Sequence, residues 1–296
     1  MDEVTRLRLA LAATRPGVGR GLTKRVHRDG PAALGAVFDG LDHEEQQDIR
    51  RRADELGQRG VGALVYGVGG YPRRLACHPD GPVALFYRGP LDLLERPAVG
   101  VCGARNVSDQ GLRAAAACGE IAAVHGVVSV SGYARGVDMA AHIASLRAGG
   151  ETVIAIPEGI DHFRVRKEGI GEVWDERRTL VVSQFAPAQP WTVGGAMARN
   201  SVIIGLSMAL VAVEAGDKGG TLAAGSRALE TGRDVWAMQP GGTATGTRVL
   251  VERGAVPVDT RADLTARMAG LRHTDDEPGP APNKGLFDLE VSTSAP

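Results

Sequence analysis

The segment AVGVCGARNVSDQGLRAAAACGEIAAVHGVVSVSGYARGVDMAAH, residues 98–142, decides the fold. Its two apolar runs, 98–102 and 127–131, are short and rich in valine, which is typical of strands covered on both faces. The residues between them, 111–125, have the spacing of an amphipathic helix. A strand, a helix and a second strand in this order predict a right-handed βαβ unit with parallel strands.

The same alternation continues on both sides of this unit. It predicts further strands at 63–66, 152–156, 180–183, 208–213, 234–238 and 255–258, and further helices at 138–148, 166–178, 197–206, 220–231, 246–253 and 260–270. We therefore predict an α/β protein: a doubly wound, mostly parallel, Rossmann-like sheet over residues 61–273, with a small N-terminal all-helical domain.

Residues 1–60 predict that helical domain, which contains a break at Pro16-Gly17-Val18-Gly19. The break resembles the hairpin of a helix-hairpin-helix (SAM-like) unit, whose glycines let backbone N–H groups approach phosphates. Arg20, Lys24 and Arg25 would add positive charge beside it. An ordinary turn between two helices explains the break equally well, so both interpretations stay open.

The composition of the whole chain narrows the function. A formal net charge of -1 gives no overall attraction to nucleic acid, so any such site must be local. No apolar run approaches the ~20 residues of a membrane span, and no secretory leader is evident, which predicts a cytoplasmic protein with no membrane partner. The three cysteines, Cys77, Cys102 and Cys118, are scattered, which predicts reduced, buried thiols and neither a disulfide nor a metal site.

Residues 274–296 are rich in proline, serine and acidic residues. Their apolar content is too low for independent folding, which predicts a disordered tail. We find no Walker A sequence, no GxGxxG after a strand, no HExxH and no GxSxG. These absences remove the main support for an NTPase, a dehydrogenase, a zinc protease or a serine hydrolase, and we predict no cofactor and no catalytic residue.

Three glycine-rich turns should meet where a parallel sheet binds its ligands, at the carboxyl ends of the strands. They follow the runs 98–102, 127–131 and 208–213, and each combines small residues with a cation or a hydroxyl, which suits a phosphate or phosphodiester. The predicted binding residues are Gly103, Arg105, Ser108, Ser131, Gly132, Arg135, Gly136, Lys218, Gly219, Gly220 and Thr221.

Several of these residues also have a possible structural role. Glycines at strand–helix junctions are needed for packing alone. Arg105 or Arg135 could pair with Asp109 or Asp138 only to hold its loop. We expect His142 to pack inside the domain rather than act as a general acid, and Asp138 could simply cap its helix.

Several motifs in these turns resemble the DNA-processing protein A (DprA/Smf) family over most of residues 7–259. They are VGVCGARNVSDQG (99–111), SGYARGVDMAAH (131–142), Arg199-Asn200, VEAGDKGGTLAA (213–224) and Pro240-Gly241. Their order and spacing are those of the family. One departure is that Ser201 follows Arg199-Asn200, where the family usually has a second arginine.

The resemblance implies an extended Rossmann-like protein that binds single-stranded DNA, without catalysis, and helps to load a RecA-type recombinase during DNA uptake, natural transformation and recombination. It implies a homodimer. By motif position it places DNA-phosphate contacts at Arg105, Arg135, Arg199 and Lys218, and it adds Asn200 to the predicted site.

Two alternatives remain open. The same pocket would suit a sensor of a nucleotide-derived ligand, as in the broader SLOG superfamily to which such domains are related. Pro240-Gly241-Gly242-Thr243 also has some likeness to the loop of nucleotide phosphoribohydrolases, but Thr245 stands where their loop needs glycine and no glutamate follows at the required offset.

Overall fold

A nine-stranded sheet forms the centre of the computed structural model, which describes residues 1–18, 20–240 and 244–271. The strands are β1 (Gly62–Val65), β2 (Ala84–Arg88), β3 (Ala98–Gly103), β4 (Val128–Ser131), β5 (Thr152–Ala155), β6 (Thr179–Ser183), β7 (Ala209–Val213), β8 (Asp234–Met238) and β9 (Val256–Pro257). Their order is β1-β2-β6-β5-β4-β3-β7-β8-β9. β2 pairs antiparallel with both β1 and β6, and the other pairs are parallel. The predicted doubly wound, mostly parallel sheet is confirmed.

The strand order reverses at β3. From β3 the chain moves through β4 and β5 to β6, then returns across the sheet to place β7 on the other side of β3. In an open α/β sheet such a reversal leaves a crevice outside the carboxyl ends of the strands, where ligands bind. The topology therefore directs attention to the turns that follow β3, β4 and β7.

Helices cover both faces of the sheet. They are α5 (Arg73–Ala76), α6 (Asp109–Val124), α7 (Val137–Arg147), α8 (Val193–Ala198), α9 (Asn200–Leu206), α10 (Gly220–Glu230), α11 (Thr245–Glu252) and α12 (Arg261–Leu271). α6 and α7 lie close together because Gly119 faces the backbone of Ala141, where any side chain would collide. This close pair fixes the positions at which the turns after β3 and β4 enter their helices.

The N-terminal residues form four helices, α1 (Glu3–Ala13), α2 (Arg20–Asp29), α3 (Ala32–Asp39) and α4 (His43–Gln58). Leu7, Leu34 and Leu56 of these helices share one apolar cluster with Phe86 and Ile154 of the sheet. Arg52 and Arg59 of the same region also form ion pairs with Asp161. The helical region is confirmed, while its separation as a domain ending at residue 60 stays a prediction.

Several details of the sequence interpretation were wrong. The helix predicted over 166–178 is an irregular segment with one 3₁₀ turn, Ile170–Glu172, because Gly169 adopts a positive φ of 77° that ends regular helix. β2 was missed, and so was α3, which begins directly after Pro31. Cys77 is exposed rather than buried.

Several expectations fall on parts of the chain that the structure does not describe. The predicted tail, 274–296, lies outside the described residues, as do Gly241, Gly242 and Thr243 of the loop compared with phosphoribohydrolases. Within the described residues, no helix combines the length and the apolar character needed to cross a bilayer.

Candidate phosphate-binding site

A cavity of about 460 Å³ lies at the carboxyl ends of β3, β4 and β5, beside the point where the strand order reverses. We call it the arginine crevice. Its lining residues are Arg105, Asn106, Tyr133, Ala134, Arg135, Pro157, Glu158, Arg166, Trp191 and Arg199. Four guanidinium groups and one carboxylate, that of Glu158, therefore surround the cavity. Such a lining favours an anion.

Two tight turns bring Arg105 and Arg135 to this crevice. Gly136, which precedes α7, has a φ of 83° and packs against the backbone of Ala104 and Arg105, where a side chain would collide. Val137 N–H then donates a hydrogen bond of 3.3 Å to the carbonyl of Ala104. The turns after β3 and β4 are thus held backbone to backbone, and both arginine side chains remain exposed.

Arg199 reaches the crevice from the junction of α8 and α9, and it is 7% exposed. Its guanidinium occupies the space beside Gly132 that any larger residue would fill. It forms an ion pair of 3.7 Å with Asp138, whereas its Nε has no hydrogen-bond partner. A buried guanidinium with an unsatisfied donor is costly by itself, and a bound anion would compensate it.

Burial shifts the pKa of both Asp138 and Arg199. It raises the pKa of Asp138 above its ordinary value, against the opposing pull of Arg199, and the Ala134 N–H donates to the carboxylate at 3.3 Å. Burial also lowers the pKa of Arg199, but a guanidinium stays protonated in proteins. Asp138 was expected as a possible helix cap; the cap position is Gly136, and Asp138 instead partners Arg199.

Sequence reasoning missed Arg166, Tyr133 and Trp191 as crevice residues. The Arg166 guanidinium stacks 4.2 Å from the Tyr133 ring centroid and donates a 2.7 Å hydrogen bond to the Tyr133 carbonyl. Arg166 was not predicted to lie at the site because residues 166–178 were predicted to form a helix. Trp191 is 46% exposed at the crevice, and exposure of so large a ring cannot be read from sequence.

Two hydroxyls predicted to bind phosphate are used by the fold instead. Ser108 caps α6 by accepting from Gly111 N–H at 3.0 Å, and its own hydroxyl donates to the Glu214 carboxylate. Ser131 is completely buried and donates to the carbonyl of Val101. We therefore assign both serines to the stability of the turns. Gly103 is likewise confined by Val137 and Val213.

The turn after β7 does not line the crevice. Lys218, Gly219 and Gly220 are exposed where α10 begins, and Gly219 has a φ of 113° with open space around it. Thr221 is half-buried in the first turn of α10. Gly220 faces Asn200, which follows Arg199 directly, so this turn approaches the α8–α9 junction.

A second, larger cavity of about 830 Å³ lies between α2 and the core, and we call it the α2 cleft. Lys24 and Asn200, two of the residues predicted to bind DNA, line it from opposite sides. Arg25 is exposed on α2, and the side chain of Arg20 lies outside the described residues. Of the predicted N-terminal cations whose side chains the structure describes, neither Lys24 nor Arg25 lines the arginine crevice, and Lys24 lines the α2 cleft.

His142 is fully buried, as predicted. Its Nε2 lies 2.6 Å from the Gly132 carbonyl, which can only accept, so this nitrogen donates the hydrogen bond. Its Nδ1 lies 2.6 Å from the Thr152 hydroxyl. Burial lowers the pKa of His142 to about 4, so the ring is neutral and fixes the turn after β4.

Cys102 and Cys118 are also buried, and burial raises the pKa of each thiol to about 12. Neither thiol is therefore reactive at neutral pH. Within the described ranges no cluster of three or more His, Cys, Asp or Glu residues could hold a metal ion.

The fold and the crevice define a Rossmann-like domain with an arginine-lined cavity at its topological switch point. The sequence profile of the family described as DNA recombination-mediator protein A matches residues 63–269, and the chain belongs to this family. The match covers every strand of the sheet except the first residue of β1.

Known proteins agree with this assignment. The DNA processing protein DprA of Streptococcus pneumoniae is 36% identical over 202 residues, which cover 67% of this chain and 71% of that protein. Protein Smf of Escherichia coli is 32% identical over 215 residues, which cover 70% of this chain but only 57% of that protein. The X-ray structure of the pneumococcal protein has a TM-score of 0.71 at 29% identity and covers 90% of this chain and 98% of that chain.

A structure of DNA processing protein A from Helicobacter pylori, described for its single-stranded DNA binding mode, has a TM-score of 0.62. It covers 71% of this chain and 96% of that chain at 23% identity, a likeness that shows the common fold.

Proposed function

We propose that this protein binds single-stranded DNA in the arginine crevice and thereby acts as a recombination mediator. The observation that carries the proposal is the position of Arg105, Arg135 and Arg199. They come from three separate parts of the chain and line one cavity, and the buried Arg199 has a donor without a partner. Phosphate oxygens are the acceptors that such guanidinium groups hold best.

The crevice suits a single strand better than a duplex. Trp191 adds an exposed aromatic ring to a cationic cavity, and an unpaired base can stack on such a ring while arginines neutralise the phosphates. Stacking and phosphate contacts are tolerant of sequence, because every base has a π-face and every nucleotide a phosphate. We therefore expect binding without strong sequence preference.

We test this by fluorescence anisotropy with a labelled oligo-dT and with the corresponding duplex. The proposal expects tighter binding of the single strand, and equal or tighter binding of the duplex would contradict it. Unlabelled thymidine monophosphate is added as a competitor, because the alternative is a sensor of a nucleotide-derived ligand. Binding of the mononucleotide without binding of oligo-dT would favour the sensor.

A RecA-type recombinase and a second copy of this chain are the further partners that we propose, on the basis of family membership. Recombinase loading is tested by whether the protein speeds filament formation on a strand covered by single-strand-binding protein. Dimerisation is tested by light scattering across a concentration series. A purely monomeric protein that leaves filament formation unchanged would confine the function to strand binding.

A further inference from the structure

The α2 cleft has the chemistry of a pocket for a nucleobase rather than for a phosphate. Its volume of about 830 Å³ lies within the ~300–1,000 Å³ of typical small-ligand pockets. Three side-chain amides line it, those of Gln184, Gln189 and Asn200. None of these amides makes a hydrogen bond to another group in the described parts of the protein. Carboxamides offer a donor and an acceptor side by side, which matches the edges of bases.

The cations at the α2 cleft are few. Arg227 is already held by ion pairs with Asp80 at 2.6 Å and with Glu230 at 3.1 Å. Lys24 is exposed on α2. His27 also lines the wall, and burial lowers its pKa, so this ring adds no positive charge at neutral pH. Neutral polar groups without partners call for a neutral polar ligand.

One short segment, residues 191–200, contributes lining residues to both the cleft and the arginine crevice. Arg199 lines the crevice, and its neighbour Asn200 lines the cleft. On this segment, Trp191 is 46% exposed, Val193 is 69% exposed and Met197 is 44% exposed. Large apolar residues exposed together in this way mark a contact surface. Trp191 lines the crevice and Met197 lines the cleft. We call the three exposed apolar residues of this segment, Trp191, Val193 and Met197, the apolar ridge.

We propose that a strand held by its phosphates in the arginine crevice crosses this ridge and places an unpaired base in the α2 cleft, against the amides of Gln184 and Asn200. This inference rests on the proposed function and names the second part of the same binding site. Because α2 forms one wall of the cleft, it gives the N-terminal helices a part in DNA binding. A paired base cannot enter, so the cleft adds to the preference for single strands.

The test compares oligo-dT with a strand of equal length that carries abasic sites, using wild-type protein and the double variant Gln184→Ala/Asn200→Ala. For wild type we expect abasic sites to weaken binding by about fivefold or more. In the double variant this difference should shrink at least twofold, with base stacking on Trp191 as the remainder, while affinity for the abasic strand stays unchanged. Arg105→Ala, in contrast, should weaken binding of both strands by the same factor.

Gln47→Ala is the matched control, because Gln47 is an exposed amide on α4 that does not line the cleft. It should retain the full difference between the two strands. If the double variant, with an unchanged melting temperature, also retains that difference, the base pocket is wrong although strand binding stands. If wild type binds neither strand, the proposed function itself fails. Tight binding of free thymidine or thymidine monophosphate that these substitutions abolish would instead assign the cleft to a free nucleotide.

Discussion

The turn after β4 and the turn after β7 have similar compositions, but their glycines have different surroundings. In the β4 turn, Gly132 makes room for the guanidinium of Arg199, and Gly136 makes room for the neighbouring backbone. In the β7 turn, Gly219 has open space around it and Lys218 is exposed. Glycines in one turn therefore serve the protein's own close packing, and in the other they leave the backbone free for a ligand to approach.

The two turns therefore position their cations differently. The β4 turn builds fixed cations, because Arg135 leaves a rigid turn and Arg199 is locked beside Asp138. The β7 turn offers a mobile cation on a flexible side chain in water, where salt screens its charge. We expect substitutions to follow this order, with the buried arginine first and the exposed lysine last.

The largest effect is expected for Arg199→Met. Removing one partner of a buried ion pair costs about 3–5 kcal/mol, because the Asp138 carboxylate is left uncompensated. Adding Asp138→Asn should recover part of the free energy of unfolding, measured by urea denaturation. Strand binding should stay at least tenfold weaker in this double variant. A double variant that is stable and binds normally would remove Arg199 from the binding site.

A somewhat smaller effect is expected from the titration of His142, which fixes the β4 turn. Its pKa is lowered from 6.5 to about 4, so the folded state favours the neutral ring. The contribution of this ring to the free energy of unfolding is therefore fully present above pH 6.5. As the pH falls from 6.5 to 4, stability should decrease by about 3 kcal/mol from this group. His142→Gln should have a flatter pH dependence in denaturant titrations. Parallel curves for the two proteins would contradict the assignment.

Arg105→Ala and Arg135→Ala should each reduce affinity for oligo-dT about tenfold or more with little change in melting temperature. Each exposed guanidinium contributes a charge-assisted contact worth ~1.5–3 kcal/mol, and neither makes an ion pair within the described residues. Arg147→Ala, at the other end of α7, is the control for loss of one positive charge. Equal losses in all three variants would mean that net charge, and not the crevice, sets the affinity.

The smallest effect is expected for Lys218→Ala, with less than a threefold loss of affinity. Lys218 is exposed and lies outside the crevice lining, so its contact with a phosphate is screened and loosely held. If Lys218→Ala weakened binding more than Arg105→Ala, the proposed order would be reversed and the β7 turn would be the principal phosphate site.

The sequence was sufficient to predict the features that depend only on residues near each other in the chain. The apolar runs of β3 and β4 and the glycines beside them are read directly from neighbouring residues, so the convergence of Arg105 and Arg135 could be predicted. The burial of Arg199 could not, because it depends on Gly132 and Asp138, more than 60 residues earlier in the chain. Similarly, the hydrogen bond from Ser108 to Glu214 links the turns after β3 and β7. A serine that was predicted to bind phosphate therefore stabilises the fold.

If fixed arginines neutralise phosphates in the crevice, the affinity for a single strand must fall as the salt concentration rises. Affinity for oligo-dT is measured by anisotropy across a salt series for wild type and for Arg105→Ala. On single strands the slope of log affinity against log salt is about -0.7 per neutralised phosphate. We predict a steep slope for wild type and a slope shallower by about 0.7, the share of one phosphate, for Arg105→Ala. A flat wild-type response, or identical slopes for the two proteins, would contradict the account.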